Sequence, residues 1–248
     1  MSALLPAIYS LWRRDVIRFL RQPSRVIGAL ASPVLFWFVI GSGLGSSFEG
    51  GFLRYFFPGA LALIVLFTAI FSTISIIEDR QEGFLQGVLA SPAPRVAIVF
   101  GKALGSATLA TLNGVLFLAL LPLAGLSPGP AAIVATVATI ALLGLALGGL
   151  GLLIAWPMQS TQGFHAIMNL ALVPLWLLSG ALFPPTGAAE WVKTLMNLNP
   201  LTPAVAMLRA WLTGESGIEI GPASAWVGAF AALTIAVSTL LVSRPQRT

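Results

Sequence analysis

The sequence predicts an all-α integral membrane protein with six transmembrane helices, and three observations carry that prediction. Only 8% of the 248 residues are charged, against a usual level of ~25%, and 57% are hydrophobic, with mean hydropathy +0.94. The charges cluster, leaving charge-free runs at 26–48, 55–77, 103–189 and 220–243. Three of these match the ~20 apolar residues that cross a bilayer, and the third in order is long enough for three spans with turns between them. Finally, six spans put both termini on one side, where Arg13, Arg14, Arg18, Arg21, Arg25, Arg80, Arg95, Lys102, Arg244 and Arg247 collect, leaving Arg54, Lys193 and Arg209 on the other. That asymmetry makes the first side cytoplasmic, and an odd number of spans would split the two basic termini.

The elements follow in order. Residues 4–22 read as an amphipathic helix: at 100° per residue Leu5, Ile8, Tyr9, Trp12, Val16, Phe19 and Leu20 share one face and four arginines occupy most of the other. Such a helix lies in the membrane interface, and its aromatic stripe argues against nucleic acid as the partner of its basic face. Pro23 and Ser24 end it and cap the next. The spans are read at 25–43, closing in the turn "GSGLG", then 56–77, 98–124 up to "GLSPGP", 130–155, 164–183 and 221–243. No repeat marks the chain as an inverted-repeat transporter. The first apolar run is span-length and lacks a small-residue cleavage site, so the N-terminus is expected to be retained.

The interruption "EDRQEGFLQGVLASPAPR", residues 78–95, is read as a short amphipathic helix over 79–92 on the cytoplasmic side. Glu78, Asp79 and Glu82 crowd its first turn, where negative charge suits the helix dipole. Phe84, Leu85, Val88 and Leu89 form its apolar face, and Ser91-Pro92 stops it. A plain solvated loop is the competing reading.

Chemistry is sparse. "FGKAL" has a Gly-Lys pair, but Val96 stands where a phosphate loop needs its leading glycine and Ala103 where it needs Ser or Thr. The single histidine, His165, has no carboxylate near it in sequence, and Ser216 of "GES" lies a membrane thickness away, so no catalytic residue is assigned. One histidine and no cysteine make a transition-metal site improbable. No acid or base is expected at mid-membrane, where an ion relay needs one; the polar groups there are mild, among them Thr68, Ser72, Asn113 and Asn169. Any energy source must then reside on another chain. "GLALG" at 144–148 offers a small-residue face for close helix packing.

Three blocks bring a resemblance. "YFFPGAL" (55–61), "DRQEGFLQGVLASPAPRVAIVFGKAL" (79–104) and "PLWLLSGALFPPTGAAEWVKTLMNLNPLTPAVAMLR" (174–209) are similar, in order and spacing, to the membrane subunits (permeases) of ABC-2 type ATP-binding-cassette exporters. Gln81 and Gln86 depart from the glutamates usual there, and Phe84 from the usual threonine. The resemblance implies an ABC-2, or type V, exporter fold in the cell inner membrane, paired with a second copy of itself and with an ATPase subunit. ATP and Mg would be bound by that partner; this chain would hold no cofactor.

The resemblance also implies site residues. Residues 79–92 would be a coupling helix seated on the ATPase, with Glu78, Asp79, Arg80, Glu82, Gly83, Phe84, Leu85, Val88, Leu89, Ser91, Pro92 and Arg95 at the contact. Spans 2 and 5 would line the substrate pathway, with Phe67, Thr68, Phe71 and Ser72 on the first and Asn169 on the second. Residues 184–210 would form short outer re-entrant helices, with Leu178, Ser179, Gly180 and Phe183 at an outer gate. The implied cargo is hydrophobic or amphipathic: a drug, lipid or glycan. A stand-alone integral membrane enzyme or lipid scramblase remains the alternative.

Overall fold

A computed structural model describes residues 4–43, 51–184, 187–215 and 218–243, with the side chains of 23–26 excepted. Ser216, Arg244, Arg247 and the side chains of Pro23, Ser24 and Arg25 therefore lie outside the described residues. So do the last two residues of the "GSGLG" turn.

Eleven α-helices make up the described chain, with no strand among the described residues. They are α1 (Leu4–Leu20), α2 (Pro23–Gly43), α3 (Phe52–Ser72), α4 (Ser75–Gln81), α5 (Phe84–Ala90), α6 (Val96–Leu118), α7 (Pro130–Ala155), α8 (Thr161–Leu177), α9 (Glu190–Leu198), α10 (Leu201–Thr213) and α11 (Ile220–Ser243). Phe52–Gln81, Val96–Leu118, Pro130–Ala155 and Ile220–Ser243 are long and apolar enough to cross a membrane. The 17-residue α8 and the apolar part of α2, Ile27–Gly43, are shorter. The run 164–183 thus divides: α8 begins three residues earlier and stops at Leu177, where Pro174 and a turn at 178–180 end it.

α3 is apolar on every side, as a helix surrounded by others must be, and its residues from Phe56 to Leu66 are all buried. α6, α7 and α10 pack on it, with α2 and α8 on its remaining flank, and α11 lies across α7. α8 touches α3 and little else. Small residues set the closest approaches. A side chain at Gly144 would meet the Ala107 backbone at 3.1 Å, and one at Gly148 would meet Ser106 at 2.7 Å, so the small-residue face of α7 packs directly on α6. Thr234 and Ser238 of α11 donate to the carbonyls of Ala146 and Gly149. Asn113 donates to Thr68 at 3.1 Å, bridging α6 and α3.

A two-residue turn at Thr73–Ile74 separates α3 from α4. Ser72 and Thr73 hydroxyls donate back to the carbonyls of Ala69 and Ile70, a competition with the helical ladder that loosens it. α4 packs against α5 and α7, and its Ile76 and Ile77 stay buried in the core.

Candidate functional site

At the α1 end of the bundle, α1, α4 and α6 meet around a buried ion cluster. Lys102 projects from α6 with its side chain 2% exposed. Its Nζ donates to Asp79 Oδ2 at 2.6 Å, Asp15 Oδ1 at 2.9 Å and Ser75 Oγ at 2.9 Å. All three ammonium protons are thereby satisfied. Asp79 also accepts from Arg14 at 2.6 Å and Arg18 at 3.1 Å, so this buried carboxylate faces three cations. Arg18 continues to Glu82 at 2.6 Å and Glu78 at 3.2 Å. Burial pushes the Asp15 carboxyl above its ordinary value, and the adjacent Lys102 pulls it back.

This arrangement corrects the reading of 79–92 as one helix. Gly83, at φ +77°, adopts the left-handed conformation that ends helices and separates α4 from α5. Asp79 and Glu82 consequently sit in the last turn and at the C-cap of α4, where the dipole disfavours them, and only Glu78 lies in its first turn. The arginines of α1 and Lys102 supply the compensation. The apolar face of α5 is corrected as well. Leu85 is 3% exposed and packs into this chain's own core, with Phe84, Val88 and Leu89 half-buried against it. The Arg14 guanidinium lies 3.7 Å over the Phe84 ring. What α5 presents outward is Gln86, Gly87 and Ala90, followed by Ser91 and Pro92.

Two further arginines tie this corner to the bundle. Arg80 donates to the carbonyls of Trp156 and Met158, both at 2.6 Å, where the chain leaves α7. Arg95, at the start of α6, reaches the Ser243 carbonyl at the end of α11, at 3.4 Å. Ser91 closes α5 by donating to the Val88 carbonyl.

Phe67, Thr68, Phe71 and Ser72 come together on one wall of a cavity of about 300 Å³. Its other walls bring Asp15 and Arg18 from α1, Ser106 from α6 and His165 from α8. Ser72 and Ser106 share a 2.6 Å hydrogen bond, and the His165 ring stacks on Phe71 at 5.0 Å. A second hollow of about 360 Å³ shares Phe67 and Phe71 and continues toward Phe36 and Trp176. The two together grade from charged and hydroxylic at the α4 end to aromatic beside α2. Asn169 is not among their linings; it lies exposed on the outer side of α8.

Leu178, Ser179, Gly180 and Phe183 form the turn at the far end of α8. Ser179 is buried and donates to the Trp176 carbonyl, and Gly180 is left-handed at φ +77°. Arg209 of α10 donates to the Gly180 carbonyl at 3.0 Å, and Thr202 to that of Leu178 at 3.5 Å. The region 184–210 contains α9 and the larger part of α10.

Sequence reasoning missed Asp15 as a member of any site and placed Lys102 among the flanking cations. A signal existed for both: an ionisable residue inside an otherwise apolar helix requires a partner, and Lys102 is the seventh residue of α6.

A helical, multi-pass membrane protein with a charged corner at one end and an aromatic, hydroxyl-lined cavity against its central helix has the form of a transport subunit. The chain belongs to the ABC-2 type transporter family, whose model matches residues 6–212. It is similar to a putative transport permease, ycf38, of Cyanophora paradoxa, 24% identical over 86% of this chain and 78% of that one. It is also similar to nodulation protein J of Rhizobium leguminosarum bv. trifolii, 27% identical over 85% and 83% of the two chains. A probable multidrug ABC transporter permease, YbhR, of Escherichia coli K12 is 26% identical over 68% of this chain and 46% of its own.

Proposed function

We propose that this chain is the membrane half of an exporter that moves a hydrophobic or amphipathic molecule out of the cytoplasm, using ATP hydrolysed by a separate ATPase subunit. The observation that carries the reading is the α4–α5 corner. It exposes a face of small and polar groups, and behind that face the ion cluster and Arg80 bond it to α1, α6 and the end of α7. A push on such a face is transmitted to the spans, because the buried pairs cannot stretch without stranding a charge. The turn at Thr73–Ile74 joins the corner directly to the wall of the cavity, so displacement of α4 would reshape the space around Phe71 and Ser72. Relatives named as transport permeases support the same reading.

A second copy of the chain would complete the assembly. Exposed apolar residues on α2 and α8, among them Phe38, Val39, Ile167 and Leu170, leave room for that contact, and Asn169 would lie within it. The turn at 178–183, held by Arg209, would close the outer end of the pathway.

Docking is tested at Gly87, which has open space around it. Gly87→Arg should leave the thermal midpoint of the purified chain unchanged, yet abolish co-purification of a co-expressed ATPase subunit. Retention of a full complement of ATPase by this variant would remove α5 from the contact.

Orientation has its own test. The basic asymmetry supports a cytoplasmic position for the α4–α5 corner and both termini, in a cell with this chain in its inner membrane. The cysteine-free background suits labelling with an impermeant thiol reagent. Trp191→Cys, exposed on α9, should label in intact cells and Gln86→Cys only after lysis. The reverse pattern would invert the topology.

A further inference from the structure

We propose that the open basic groove along α1 binds the phosphate headgroups of anionic phospholipids. The inference needs only that the chain spans a membrane, and is independent of the ATPase. α1 is three-sided. Leu11, Asp15 and Phe19 face the bundle. Leu5, Tyr9 and Leu20 form a neighbouring sector and are 75%, 58% and 50% exposed, far too apolar for a face in water. The third sector carries Arg13, Arg14, Arg18 and Arg21 along a groove of about 580 Å³.

Those four arginines are not equivalent. Arg14 and Arg18 turn inward to Asp79 and Glu82. Arg13 and Arg21 are exposed, and their side chains make no ion pair or hydrogen bond with the described residues. They stand eight residues apart, about 12 Å along the helix. At 100° per residue Arg13 borders the exposed apolar sector. An arginine there can lay its stem along acyl chains while its guanidinium stays level with the headgroups. The planar fork then pairs with phosphate in bidentate fashion.

Charge complementarity alone would also suit an acidic protein. The contiguous stripe of Leu5, Tyr9 and Leu20 selects the lipid surface, because acyl chains cover that stripe in the same orientation that brings phosphate to Arg13 and Arg21. The groove therefore reads the surface charge of the leaflet on which α1 lies, and does so with the helix that also supplies Arg14, Asp15 and Arg18 to the ion cluster.

The full chain would be reconstituted in nanodiscs of phosphatidylcholine alone or mixed with phosphatidylglycerol. Phosphatidylglycerol should raise the thermal midpoint of the unaltered protein, and the rise should shrink as salt screens the contact. The double variant Arg13→Gln/Arg21→Gln should lose that rise and keep the midpoint seen in phosphatidylcholine. Its retention of phosphatidylglycerol in native mass spectrometry should fall about twenty-five-fold, at roughly fivefold per arginine. Arg13→Lys/Arg21→Lys should keep most of the rise, and Arg54→Gln, at the other end of the bundle, all of it. An equal rise in the glutamine variant, or none in the unaltered protein, would overturn the proposal. So would inorganic phosphate reproducing the rise in phosphatidylcholine, which would mark a free-anion site. Loss of a co-purifying ATPase with lipid response intact would overturn it too, making the groove a protein contact.

Discussion

Replacing Lys102 with methionine is expected to destabilise the chain by about 3–5 kcal/mol, the range for breaking a buried ion pair from one side. The methionine fits the space of the lysine stem, so the loss is electrostatic. Asp79 would keep Arg14 and Arg18. Asp15 would not be so placed: apart from Lys102, its contacts are a 3.4 Å hydrogen bond from Ser75 and Arg14 at 4.0 Å. Removing the carboxylate as well should therefore recover part of the loss. The double variant Lys102→Met/Asp15→Asn is predicted to be more stable than the sum of the single changes allows, a non-additivity that a double-mutant cycle reads directly. Unfolding of the purified chain in mixed micelles of rising denaturing-detergent content supplies the free energies. A Lys102→Met chain as stable as the original would mean that water reaches the cluster and screens it like a surface pair.

Leu85→Asp should lose the fold of this chain before it affects any partner. The side chain is 3% exposed and belongs to the core of the protein. The substitution forfeits apolar burial of about 1.5–3 kcal/mol and forces a carboxylate into the hydrophobic core, which raises the cost further. Loss of monodisperse protein on gel filtration after extraction is the expected result. Leu85→Ala should be milder and still cost about 2–5 kcal/mol. Gly87→Arg, two residues along, should behave in the opposite way. Normal yield and elution of Leu85→Asp would return Leu85 to the outer surface of α5.

The position of two of the long apolar helices was legible in the sequence. α7 spans Pro130–Ala155, as the apolar run predicts, and α11 begins one residue before its expected start. Hydropathy and Pro/Gly punctuation act locally, on a window the length of a helix, so a single strand of text contains them. Gly83 carried a local signal too. A glycine in the middle of a charged segment marks a left-handed helix end as readily as it continues a helix.

The faces of the helices were another matter. The helical wheel of α1 predicts one apolar face running from Ile8 to Leu20. The structure splits that face between the bundle and the outside, and turns Asp15 inward with Leu11 and Phe19. The reason lies on α6, where Gly101 and Gly105 admit the α1 backbone so closely that a side chain at Gly101 would meet Leu11 at 2.8 Å. Lys102 stands between those glycines and requires a carboxylate. Asp15 and Lys102 are 87 residues apart, and no local pattern relates them.

The same holds for α5. An apolar face buried within the chain and one reserved for a partner have the same spacing of Phe84, Leu85, Val88 and Leu89. Composition and periodicity by themselves determined that this chain lives in a membrane and along which stretches its long apolar helices lie. Which carboxylate meets which cation, and which side of α1 and α5 is turned outward, only the tertiary structure decided, because those outcomes depend on how closely two distant backbones can approach.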